Sequence, residues 1–323
     1  MRRWVLSYVG VCLLAAGGSP TADAQGKTAR SEPSYEIKPS TRQQVQEARR
    51  WTASLEKKAK QIAPKLQRFE TPYFVLYSTF GKQADNKQYR DRADLMFRKL
   101  CEQFKADPRR VWVDKCPIFA FTDAKQYVAF LTSIGIDESA ASKTGGLMVS
   151  RSDGMVCIIL NASADESAFF NTMVHEGTHA FMVRFLTARP LPSWVNEGIA
   201  EHMCARVVEN SRTNDLWQRA TRQVLDGEKK PESIFGGVAL DTFDYGMAHA
   251  LVRHMIEKDG TAFSRFVRLL KQGESEEAAL KAAYRTNRAG LLKDWRAGAE
   301  KALEAAEKAA EKTAEKTTKK AEK

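Results

Sequence analysis

His175-Glu176-Gly177-Thr178-His179, followed by Leu191-Pro192-Ser193-Trp194-Val195-Asn196-Glu197-Gly198-Ile199-Ala200-Glu201-His202, is the stretch around which the rest of the chain is read. Histidines four residues apart stand about one helical turn apart. Both imidazoles then point the same way and can grip one divalent cation, with Glu176 beside them. Two of the chain's five histidines are used here, in 323 residues. Satisfied core histidines are the plain alternative, and the choice depends on the surroundings.

Those surroundings predict a helix. Ser163-Ala164-Asp165-Glu166 has the form of a capping box, so a start near 164 is expected. Phe169, Phe170, Met173, Val174, Gly177, Ala180, Phe181 and Phe185 then recur at helical spacing, and no proline intervenes before Pro190. A catalytic zinc takes three protein ligands and keeps one position for water. The second segment reads as a helix with Pro192 or Ser193 in its first turn, and Glu197 is the best candidate for the third ligand. Glu201, one turn further on, can accept the free ring N–H of a ligating histidine and fix its tautomer. An exposed acidic helix face is the other reading of the two glutamates. His202 lies too far around the helix from Glu197 to serve as a co-ligand.

Taken together, His-Glu-x-x-His and Asn196-Glu197-x-x-x-Glu201 resemble the gluzincins, the superfamily that includes thermolysin and the zinc aminopeptidases. The segment Pro192 to Glu201 is similar to the "Pro-x-Trp-x-x-Glu-Gly-x-Ala-Glu" of bacterial peptidase-MA-like proteins, with a fainter likeness from Tyr73 to Trp295. The resemblance implies that His175, His179 and Glu197 hold one zinc ion, that Glu176 is the general base, and that Glu201 supports the ligands. Glu201 departs from the thermolysin pattern, where an aspartate is usual. The implied fold is α+β, with an N-terminal mixed sheet and the zinc-binding helix at the junction with a mainly helical C-terminal lobe.

A tetrahedral oxyanion formed by attack on a carbonyl needs a donor besides the metal. Asp241 to Met255 reads as a helix capped near Asp241 or Thr242 and stopped at Asp259-Gly260, with Tyr245 and His249 one turn apart on one face. Both can donate. Several gluzincins use a tyrosine that opens such a helix, so the resemblance favours Tyr245. A buried structural tyrosine is the alternative. His254 is read as structural.

Upstream, Gly145 to Arg151, a Ser152-Asp153-Gly154 turn, and Met155 to Leu160 read as a β-hairpin leading into the zinc helix. An exposed edge there could pair with an extended peptide; a plain core hairpin is equally compatible with the pattern. Pro72–Ser78 and Pro117–Phe121 are expected strands, Lys87–Phe104 a helix, and helices follow Ala124 and dominate after 163.

Met1-Arg2-Arg3, an apolar run from Trp4 to about Ala16, and Ala22-Asp23-Ala24 have the regions of a signal peptide cleaved after Ala24. The apolar run is too short for a membrane span. A periplasmic or secreted location is expected, without a transmembrane anchor. Cys101, Cys116, Cys157 and Cys204 remain in the mature chain; Cys101–Cys116 is the most local disulfide they allow, and free buried cysteines are the alternative.

The net charge of +11 is uneven. Residues 25–68 hold 11 basic and 4 acidic side chains, whereas residues 69–290 carry only +1. The basicity therefore belongs to a partly disordered N-terminal segment (25–68), not to the metallopeptidase-like domain (69–296), and no nucleic-acid partner is expected. A solvated helix around Thr41 to Gln61 is the default reading of that segment, with weak contact to anionic surfaces as the other. The Ala/Glu/Lys-rich tail (297–323) lacks an apolar stripe and is not expected to pack.

The expected function is an exported zinc metallopeptidase acting on a peptide or protein. The alternative is a non-proteolytic zinc-binding protein of the same fold, serving as an envelope scaffold or interaction module. Glu176 favours the enzyme, because a structural zinc has no use for a general base.

Overall fold

Two strands of the sheet are buried along their whole length and a third at all but its last residue, and that fixes what must cover them. The computed structural model describes residues 39–301, apart from 163–164, 210 and 237–239. Its elements in chain order are α1 (Arg42–Ile62), β1 (Gln67–Glu70), β2 (Phe74–Ser78), α2 (Gln83–Phe104), the single turn α3 (Pro108–Val111), β3 (Cys116–Phe121), α4 (Ala124–Ser133), the turn α5 (Glu138–Ala141), β4 (Gly146–Ser150) and β5 (Val156–Asn161). Then come α6 (Glu166–Arg184), α7 (Ser193–Val207), α8 (Thr213–Leu225), a 3-10 turn (Pro231–Phe235), α9 (Thr242–Gln272) and α10 (Glu276–Tyr284). The architecture is α+β, with one mixed five-stranded sheet in the order β1-β2-β3-β5-β4. The central pairings β2–β3 and β3–β5 are parallel, and the outer pairings β1–β2 and β5–β4 are antiparallel.

Parallel strands covered on both faces read as continuous apolar runs. Phe74, Leu76, Ile118, Ala120, Ile158 and Leu160 face the larger core, which continues through α2 and α6 into the helices that follow. Val75, Tyr77, Phe119, Phe121, Cys157 and Ile159 face the opposite way, against α1 and α4. The strands expected at Pro72–Ser78 and Pro117–Phe121 and the hairpin β4–β5 are present. β1 has no counterpart in the expectation, because its mostly exposed residues carry no apolar alternation.

The basic N-terminal helix corrects one expectation. Thr41 caps it, in a capping box with Gln44. It is not simply solvated, however: Ala48, Trp51, Leu55 and Ala59 are buried at steps of three and four residues against the back of the sheet, so α1 belongs to the folded body.

Two helix ends also differ from expectation. α2 starts at Gln83, four residues before Lys87. α9 breaks where a stop is expected, at Asp259 (φ −161°, ψ 97°), but resumes because the Asp259 carboxylate accepts hydrogen bonds from the backbone N–H groups of Thr261 and Ala262.

All four described cysteines are free and buried, so no Cys101–Cys116 disulfide forms. Cys116 and Cys157, on adjacent strands, face opposite cores. No helix among the described residues is long and apolar enough to cross a membrane. The signal-peptide reading and most of the C-terminal tail fall outside the described residues.

Candidate metal centre

α6 is a helix with almost no solvent face. Every residue from Asn171 to Met182 except Thr172 is buried, which explains why its apolar positions spread around the whole circumference. Asp165 caps it by accepting from the Ala168 N–H at 2.9 Å; Ser163, the expected cap, lies outside the described residues. Gly177 lets α2 cross closely, because a Cβ there would strike the end of the Met96 side chain. α7 is buried from Trp194 to Cys204, which removes the exposed-face reading of Glu197 and Glu201. Gly198 has the corresponding role on that helix, since a Cβ would lie 2.5 Å from the Ala248 carbonyl oxygen of α9.

These two helices bring His175, His179 and Glu197 together as a buried group that could hold a metal ion. His175 Nε2 lies 3.0 Å from His179 Nε2 and 3.2 Å from Glu197 Oε2; His179 Nε2 lies 3.4 Å from the same oxygen. Tetrahedral ligands at ~2.0–2.1 Å from a cation are about 3.3 Å apart, so the triangle has the right size. Its electronic state agrees. Glu201 Oε1 lies 3.0 Å from His175 Nδ1, so the imidazole donates there and turns the lone pair of Nε2 inward. Glu197 Oε2 is buried with no hydrogen-bond donor. Electron-pair donors thus face one another across about 3 Å, an arrangement that a bound cation relieves. Burial alone would raise the Glu197 carboxyl, but the two adjacent imidazoles, His179 and His175, outweigh it and hold the group well below the usual carboxylate range. A bound cation acts in the same direction.

Asn196 was not singled out from the sequence. Its amide hydrogen-bonds to His179 Nδ1 at 3.0 Å, giving the second histidine the support that Glu201 gives the first. The near atom is Asn196 Nδ2, which donates to Nδ1; once His179 Nε2 faces a cation, Nδ1 carries the proton and the amide turns over to accept it with its oxygen. The available signal was a carboxamide inside an otherwise apolar helix, directly before Glu197.

Glu176 points to the sheet. The Met148 N–H on β4 donates to its Oε2 at 2.8 Å, while Oε1 has no hydrogen-bond partner. Among the described strands β4 is an outer one, and this bond shows that its unpaired edge faces Glu176. Gly146 makes the approach possible, because a Cβ there would collide with Thr172 Cγ2 and crowd Glu176 Cγ. A backbone donor leaves no trace in residue identity, so this contact was not legible beforehand. Burial pushes the Glu176 carboxyl above its usual range, against the opposing pull of His175 and His179.

Tyr245 and His249 part company. Tyr245 is half-buried near the start of α9, with its ring 6.4 Å from the His175 ring, centroid to centroid. His249 instead packs beside His202 at 5.8 Å and Trp217 at 6.3 Å. His202 thus lies away from the metal ligands, as its helical angle predicts. Burial pushes His202 down to about 4 and His249 down to about 3, with cationic neighbours adding to the effect, so both are neutral in the folded protein. His254 sits near the surface, 2.8 Å from Asp294.

No known protein-family model matches this sequence, and no curated protein matches it.

Proposed function

We propose that the protein is an exported zinc metallopeptidase of gluzincin type, hydrolysing peptide bonds. The observation that carries the reading is a buried group of two imidazoles and one carboxylate with a separate glutamate beside it whose Oε1 has no partner. Two nitrogen ligands favour zinc over magnesium or calcium, which take oxygen sets. A further carboxylate near such a centre is what hydrolysis requires and structural metal binding does not.

Zinc, when bound, supplies Lewis-acid chemistry, lowering the pKa of water toward ~7 and carrying part of the oxyanion charge. The remaining work falls to side chains and backbone. Glu176 takes the proton of the attacking water and returns it to the leaving amine, and burial, by raising its proton affinity, suits it to hold that proton between the two steps. The Met148 N–H fixes one of its oxygens. Tyr245 supplies the hydroxyl that donates to the oxyanion, a role supported by its closeness to His175 and by the packing of His249 elsewhere. The edge of β4 offers main-chain groups to an extended peptide, which favours binding without strict sequence demands. Export rests on the sequence pattern of residues 1–24.

The test is metal content together with cleavage of a diverse peptide library by wild type and Glu176→Gln. The substitution is nearly isosteric and removes no ligand. Zinc is expected to stay near one per chain while turnover falls about 100-fold or more. A zinc-loaded wild type that cleaves nothing would turn the reading to the scaffold alternative.

A further inference from the structure

At the end of the helix that carries His175 and His179, five residues beyond His179, Arg184 presents an unsolved charge problem. It is the last residue of α6 and only 9% exposed. Its Nε donates to the Val111 carbonyl at 2.9 Å, but no carboxylate among the described residues forms an ion pair with it. The acid that attracts it, Asp153, is engaged with Arg151 at 2.6 Å. Burial pushes the Arg184 guanidinium down to about 10, and Asp153 offsets this only in part. Buried charges in proteins are as a rule paired.

Arg184 lines a cavity of about 20 Å³ together with Trp51 of α1 and Trp112, the residue after α3. Both indole N–H groups are buried and have no acceptor, a condition native interiors avoid. Indole nitrogen and guanidinium donate only. The charged neighbours in the wall are already matched: Asp114 lies 3.2 Å from Arg49, and Lys115 lies 2.8 Å from Glu70. One positive charge is left over.

We propose that this cavity binds a single monatomic anion of halide size, chloride being the ordinary occupant, held by Arg184 with the indole N–H groups of Trp51 and Trp112. A cavity needs roughly 10–15 Å³ to hold one water-sized particle, so the space suits one small ion. Water fits by size but brings no charge. The anion would tie three distant parts of the chain together: the N-terminal helix, the segment leading into β3, and the final turn of the metal-ligand helix. The site is independent of the peptidase reading.

The experiment is thermal unfolding of the full chain in sodium chloride or bromide against sodium gluconate at constant ionic strength, with crystals grown in bromide for anomalous diffraction. A saturable, halide-specific rise in Tm and a bromide peak between Arg184 and the two indoles are expected. Trp51→Phe and Trp112→Phe each keep a ring and delete one N–H, and each should weaken the apparent halide affinity about tenfold, as for loss of one hydrogen bond to a charge. Arg184→Gln should abolish the halide effect; if it does not fold, the two Phe variants decide. Equal Tm in all three salts, or a cavity holding water and no bromide, would overturn the proposal.

Discussion

Glu201 and Asn196 lie against the far nitrogens of His175 and His179, so in the proposed zinc site they would act on the cation without touching it. Fixing each ring's tautomer and orientation keeps two lone pairs aimed at one point, so loss of such a support costs typically 10–100-fold in metal affinity. Glu201→Ala should therefore weaken zinc binding by that factor in a chelator competition, and Glu197→Ala, which removes a ligand, should weaken it more. Unchanged affinity in Glu201→Ala would contradict the role given to its contact with His175. Tyr245→Phe keeps the ring and deletes the hydroxyl, and kcat is expected to fall about 100-fold with zinc content and KM little altered. His249→Gln should leave kcat nearly intact, because that ring packs on His202 and Trp217; a large kcat loss there alone would transfer the donor role.

Between elements, glycines decide how close the helices come. A Cβ at Gly198 would meet backbone, the Ala248 carbonyl oxygen, which cannot turn aside, whereas one at Gly177 would meet only the flexible end of Met96. Gly198→Ala should thus cost about 2 kcal/mol, the scale of overpacking, and should lower kcat by moving α9 and Tyr245 away from α7. Gly177→Ala should cost less. Urea unfolding of the two variants checks the order, and a Gly198→Ala protein as stable as wild type would show that the α7–α9 crossing tolerates a methyl group. The same crossing explains why Tyr245 and His249, one turn apart on α9, reach different surroundings. Helical spacing places two residues on one face but does not say which neighbour each will meet.

For the molecule as a whole, the buried histidine pair predicts acid sensitivity. His202 and His249 have folded values of about 4 and about 3 against a usual 6.5, so below pH 6.5 the unfolded chain binds protons that the folded one does not. Their contribution to stability is complete above about pH 6.5 and is lost as pH falls toward 4, by up to about 1.4 kcal/mol per pH unit for each group. His249→Gln should flatten the fall of ΔG between pH 6.5 and 4 measured by urea unfolding; an unchanged slope would refute its share.

Much of this was legible in the order of residues: the His-Glu-x-x-His helix, Glu197 and Glu201 one turn apart, the β4–β5 hairpin, and the apolar runs of β2 and β3. Local spacing and backbone geometry carry those signals. The packing of α1 onto the sheet was hidden because its apolar stripe is thin and surrounded by basic side chains. The free state of the cysteines depends on where the fold puts them: Cys116 and Cys157 on opposite faces of adjacent strands, Cys101 and Cys204 on helices α2 and α7. From its sequence alone this chain determined which side chains could meet a cation. Only the tertiary structure decided that Asn196 supports His179, that the Met148 N–H holds Glu176, and that Arg184 is buried without a carboxylate. These contacts join distant segments, two of them through backbone groups that every residue carries alike.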